Sequence, residues 1–347
     1  MTFNKNEIVK ANETIQRNLG IEMLRMYLCF RIVLLHYYSS NNKYILNLKR
    51  NRFQVPCFFF ISFYFLYPTI SQRKYNKFKQ RLERLLIPYI IHPIINWIIN
   101  NIMFLIIKFN RYGRFLTLHE LITQIIVGRG IYGIAALWFH FNLILFTIFF
   151  YISSYILKNY FLLFFQINAI ISYKFQYSQI NYRFFRQYTE NIWMSVGNLI
   201  ETFPITIFAF SFSSIKAKNI ILKNHKKCLL FSFMLLYLIF NYNIFTNLRG
   251  FSSTGIQQIF ISVFLFIFFS LIPFEILNNK VLLFIKQITK YTQGIYCLHF
   301  LFQYYLKLKF DKEGSFTGCI LLYTISYLIS LIGFKIFEKT KLKFLFN

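Results

Sequence analysis

The sequence predicts an all-α polytopic membrane protein, a bundle of about ten transmembrane helices. Three observations carry that expectation. Hydrophobic residues make up 56% of the 347 residues and charged ones 14%, whereas soluble domains sit near ~25% charged. Apolar stretches of near-membrane length recur along the chain, at roughly 19–38, 53–70, 85–107, 135–157, 159–173, 193–213, 228–245, 255–273, 288–306 and 317–337. The net charge of +28, from 39 Lys+Arg against 11 Asp+Glu, falls mainly between these stretches, where basic residues set topology and meet anionic headgroups. That placement argues against a nucleic-acid partner and for a lipid bilayer. No internal repeat or low-complexity linker divides the chain, so residues 1–347 read as one integral-membrane domain.

The first stretch, Ile21 to His36, is the most unusual. An ionisable side chain in a bilayer costs roughly 2.5–3.5 kcal/mol on insertion scales, so each needs a role or a partner. At about 100° per residue, the eleven positions from Arg25 to His36 leave the two about 20° apart on one helix face and about 16 Å apart along the axis. Glu22 falls within about 40° of the same line, while Arg31 points elsewhere. One helix thus presents an acid, a guanidinium and an imidazole as a stripe. Its charges, and the lack of a small-residue cleavage site, read as a retained span rather than a signal peptide.

The second stretch contains Val55-Pro-Cys-Phe-Phe-Phe-Ile-Ser62. A basic loop follows and leads into the third through Arg81-Leu-Glu-Arg84. Arginines at i, i+3 on a helix share a face. They can clamp a phosphate or pyrophosphate bidentately, or serve as a positive-inside anchor. The fourth opens with Leu137-Trp138-Phe139 before His140. The sixth holds Glu201, one of the few acids within a span. The ninth contains Gly294-Ile-Tyr-Cys-Leu-His299. His92 and His140 read as structural histidines, and Asp311 is the only aspartate. The five cysteines are scattered through apolar runs and suggest neither a disulfide framework nor a metal site. There is no nucleophile elbow, Walker loop, His-Glu-x-x-His or Cys-x-x-Cys.

With ten crossings, the basic residues favour both termini on the cytoplasmic side. The inside segments then hold the Arg73–Arg84 loop, Lys216–Lys227, Lys280–Lys290 and Lys335–Lys343. Arg25 lies toward the cytoplasm and His36 toward the exterior.

Taken together, these residues resemble acyltransferase family 3, bacterial integral-membrane acyltransferases that modify sugars. Arg25 and His36 match its Arg-x10-His pattern, with Glu22 as the preceding acid. Arg81 and Arg84 match its Arg-x-x-Arg. The elements around Val55–Ser62, Leu137–Phe139 and Gly294–His299 are also similar. Two positions depart: Phe63 stands where the family usually has glycine, and Arg31 adds a second cation to the first span.

The resemblance implies an O-acyltransferase of the bacterial cytoplasmic membrane. Such an enzyme moves an acyl group, most commonly acetyl from cytoplasmic acetyl-CoA as cosubstrate, onto a hydroxyl of a surface or exported polysaccharide. No metal is implied. His36 is then either the general base or a transient acyl carrier. Arg25 either pairs with Glu22 or aids donor binding, and Arg81 with Arg84 would hold the donor phosphates. The competing reading is a transporter or flippase for a lipid-linked sugar, with the same stripe lining its path. On the acyltransferase reading, a tunnel should run from the Arg81/Arg84 region to His36.

Overall fold

The computed structural model describes residues 19–37, 53–107, 114–127, 137–177, 194–242, 256–272, 278–309 and 315–346. All regular structure among them is helical: α1 (Leu19–Tyr37), α2 (Gln54–Ser71), α3 (Tyr75–Ile107), α4 (Leu118–Val127), α5 (Leu137–Leu157), α6 (Phe161–Tyr177), α7 (Met194–Ser213), α8 (Ile215–Lys223), α9 (His225–Tyr242), α10 (Ile256–Leu271), α11 (Asn279–Lys290), α12 (Thr292–Lys309) and α13 (Phe316–Ile336). Short 3-10 turns lie at Lys158–Tyr160 and Lys341–Leu345.

The expected count of about ten transmembrane helices is corrected by this structure. Among the described residues, four helices are long and apolar enough to cross a membrane: Gln54–Ser71, Tyr75–Ile106, Trp138–Ile171 and Phe316–Ile336. A fifth is added if Thr202–Ser213 and Ile215–Lys223, bent by 68° at their junction, count as one. The shortfall has physical causes. α5 and α6, expected as two spans, run together through the Lys158–Tyr160 turn as one apolar stretch. α10 has only 16 residues, and α9 opens on His225, Lys226 and Lys227. α1 carries Glu22, Arg25 and Arg31 within its 19 residues. Apolar periodicity marks a helix buried in protein as readily as one facing lipid, and α1 is such a helix. The topology expected from ten crossings does not carry over to this count.

α1 and α2 form the centre. α1 packs on α2, α10, α11, α12 and α13, while α2 packs on α1, α3, α5, α7 and α10. The core they share is largely phenylalanine. Phe63, the departure from the family pattern, is fully buried. It meets Phe146, Phe150 and Phe210 edge-on at 5.5, 5.9 and 6.1 Å and stacks on Phe59. Edge-to-face geometry of this kind is the favourable one for aromatic quadrupoles. Phe63 therefore binds α2 to α5 and α7, the place a glycine would have used for close backbone approach. Arg31 is likewise accommodated: its guanidinium lies 4.4 Å from the centroid of Phe53 and donates to the Tyr27 hydroxyl at 3.1 Å.

Two prolines position the functional end of the bundle. A proline inside a helix frees the carbonyl four residues earlier. Pro68 of α2 frees that of Tyr64, which accepts from the Ser213 hydroxyl at 2.7 Å. Pro88 of α3 frees that of Arg84, which accepts from Gln293 Nε2 at 3.3 Å. Each broken helix bond thus becomes a bond to another helix, the repair expected where water cannot supply it.

α2 and α3 are joined by a tight turn in which Arg73 takes a left-handed conformation, φ 49°. Its guanidinium donates to the Ser154 carbonyl of α5 at 3.1 Å. At the C-terminal end, Lys341–Leu345 folds back on α3 and α13. His92 Nε2 donates to the Leu345 carbonyl at 3.2 Å, and Lys341 pairs with Glu83 at 2.8 Å. Phe346 lies so close to Gly294 that a Cβ there would come within 2.8 Å of its carbonyl oxygen and 2.5 Å of Ser330 Oγ.

Candidate functional site

A cavity of about 560 Å³ opens between α1, α2, α3, α5 and the start of α12. Four of the five residues singled out from sequence line it: Glu22, Arg25, Arg81 and Arg84. On α3, Lys77, Arg81 and Arg84 follow one another at i, i+4 and i+7, so all three face one way. Exposed Lys77, Gln80 and Arg84 form the mouth; buried Phe139, His140, Leu143, Thr292 and Tyr296 form the floor.

Each cation is held differently. Arg25 Nη1 pairs with Glu22 Oε2 at 3.3 Å, an i, i+3 bridge, and its Nη2 donates to Thr292 Oγ1 at 3.1 Å. Both groups of this bridge are about one-third exposed, so it contributes little stability and mainly orients the guanidinium toward the cavity. Arg81 Nη2 donates to the Ser62 carbonyl at 3.1 Å, while its buried Nε has no hydrogen-bond partner among the described residues. The guanidinium of Arg84 lies 5.4 Å from the Phe344 ring centroid. Four cations against one carboxylate, with an unsatisfied buried donor among them, suit a polyanionic ligand such as a phosphate or pyrophosphate group. The volume falls within the usual range for a small-molecule site.

His36 stands apart. It is exposed at the other end of α1, about 16 Å along the axis from Arg25, and does not line the cavity. Among the described residues, aromatic and imidazole rings lie between the cavity floor and His36. Tyr296 on the cavity floor lies 6.0 Å from His299, and His299 lies 5.7 Å from His36, centroid to centroid. Phe300 contacts both imidazoles, at 4.0 Å from His299 and 4.6 Å from His36. Gln303 Nε2 donates to the His36 carbonyl, fixing α12 to the end of α1.

Of the remaining sequence candidates, His140 is buried in the cavity floor, 3.5 Å from Gln293 Nε2, and His92 is a structural donor to the C-terminal turn. The side chain of Glu201, Asp311 and the loop 178–190 lie outside the described residues. Lys77, Gln293 and Tyr296 were not singled out from sequence. Lys77 was legible as one turn before Arg81, whereas Gln293 and Tyr296 reach the site only through tertiary packing. Among the described residues, no three His, Cys, Asp or Glu side chains gather as a metal site.

Comparison with known proteins gives one family. The model of the family 3 acyltransferase domain matches residues 18–337. No curated protein and no solved structure matches the chain.

Proposed function

This chain belongs to acyltransferase family 3, whose domain spans almost all of it, and on that premise we propose that it transfers acetyl from acetyl-CoA to a hydroxyl of an exported glycan at the bacterial cytoplasmic membrane. The observation that carries this reading is the gathering of Arg25, Lys77, Arg81 and Arg84 around one cavity. The diphosphate of a CoA thioester is the polyanion that fits such a set, with Arg81 and Arg84 as its principal partners. The mouth lies at the end of the bundle that also carries Lys341 and Lys343. By the positive-inside tendency this end faces the cytoplasm, with the start of α1 and the C-terminal turn beside it. His36, at the opposite end, meets the acceptor.

In the reaction the acceptor oxygen bonds to the acyl carbon and the carbon–sulfur bond of the thioester breaks. The hydroxyl proton leaves to His36, and the thiolate departs and is protonated to the thiol. Where His36 acts as acyl carrier, its nitrogen first takes the acyl group and yields it to the acceptor in a second step. Glu22 orients Arg25 and takes no part in bond making.

The test uses purified protein in liposomes with radiolabelled acetyl-CoA and a polysaccharide acceptor. Wild type acetylates the glycan, and His36→Ala lowers kcat about 100-fold or more. Arg81→Ala and Arg84→Ala each weaken CoA binding about tenfold or more, with normal membrane insertion. Wild-type turnover in His36→Ala overturns the role of that residue. Undiminished CoA affinity in both arginine variants, together with mis-insertion, makes the pair a topological anchor. Movement of a lipid-linked sugar without acetyl-CoA consumption makes the protein a transporter.

A further inference from the structure

His299 occupies the layer between cavity and His36, and nothing above gives it a task. Its side chain is fully buried. Nδ1 lies 3.2 Å from the Ile295 carbonyl oxygen. A carbonyl only accepts, so Nδ1 carries the proton and Nε2 of the neutral ring is a bare acceptor. That Nε2 is buried and has no hydrogen-bond partner among the described residues. A buried polar atom left in this state is costly and calls for an explanation. A ring on α1 with a donor to offer, His36, lies 5.7 Å away centroid to centroid, tilted by 34°. Phe300 packs against both rings and holds them in register.

We propose that His299 is a positioning residue for His36, its Nε2 accepting the N–H of the His36 imidazole and so fixing which His36 nitrogen is left bare. The bond is drawn tight when the acceptor hydroxyl arrives, as catalytic hydrogen bonds commonly are. The bare nitrogen then faces the hydroxyl, and the imidazolium formed on taking its proton stays bonded to Nε2. This rests on the reading of His36 given above, and α12 thereby contributes to chemistry assigned to α1.

Two measurements test it. Six histidines in the chain make nitrogen-15 spectra of imidazole-labelled protein in micelles, with the acceptor glycan added, tractable. His299 is expected as the Nδ1–H form, with an N–H to N coupling to His36. His299→Gln, whose amide oxygen falls near the Nε2 position, keeps the His36 N–H bonded; His299→Asn, whose amide falls near Nδ1, releases it. In turnover, His299→Asn lowers kcat at least about tenfold with the donor KM unchanged, and His299→Gln restores most of it. A wild-type spectrum without the bonded His36 N–H overturns the proposal, as do equal kcat values for the Gln and Asn variants. The spectrum requires no turnover. A failure of acetyl transfer in wild type therefore sinks the enzymatic reading while leaving the His299–His36 bond decided by its own measurement.

Discussion

Phe63 shows most clearly what the sequence did and did not disclose at the scale of a residue. Set against its family, a bulky ring where close helix approach is usual reads as altered packing, a changed acceptor or a degraded enzyme. In the structure it meets four other phenylalanines and sits at zero exposure. The compensation is spread over Phe59, Phe146, Phe150 and Phe210, none of which announces itself in a one-dimensional pattern. Restoring the small residue should therefore harm the protein: Phe63→Ala is expected to cost about 3–5 kcal/mol, and Phe63→Gly at least as much. Thermal unfolding in detergent reads this directly, and an unchanged midpoint in both variants would refute it. The same reasoning applies to Arg31, whose stacking on Phe53 makes it a partnered buried cation. The candidate residues with self-contained signals, Glu22, Arg25, Arg81 and Arg84, were legible because their spacings place them on shared helix faces.

Elements were less legible than residues, because helix–helix contacts are set by what comes opposite. Pro88 is visible in the sequence, but the partner of the carbonyl it frees, Gln293, lies more than two hundred residues away. Pro88→Ala is expected to restore the internal helix bond and release Gln293, raising the donor KM with little change in kcat. Measuring both constants checks it, and a loss confined to kcat would argue that Gln293 acts elsewhere. Gly294 makes a second case. An added methyl would come within 2.5 Å of Ser330 Oγ and 2.8 Å of the Phe346 carbonyl. Gly294→Ala should thus pry the Lys341–Leu345 turn off α3 and α13 and destabilise by about 1–3 kcal/mol. Faster proteolysis near Lys341 with α3 still protected is the expected signature; an unaltered digestion pattern would count against it.

At the scale of the whole molecule, helix was legible nearly throughout the described residues and the number of crossings was not. Length and apolarity alone cannot separate a helix bathed in lipid from one wrapped by other helices, and α1 and α10 are of the second kind. The separation of the cavity from His36 was legible only as arithmetic along α1; the rings that lie in the interval come from α12. The two-ended arrangement makes a prediction at this scale. With Cys228 replaced by serine, Lys77→Cys should react with a membrane-impermeant thiol reagent from the cytoplasmic side alone, and labelling from outside would invert the orientation. The ring layer of Tyr296, His299 and Phe300 has one more consequence. A cell holds a proton gradient across this membrane, and a polar cavity entering from one face with an exposed imidazole at the other is the outline of a leak. On the proposed orientation, these packed side chains narrow the water path between the two ends, so that acyl transfer need not discharge the gradient.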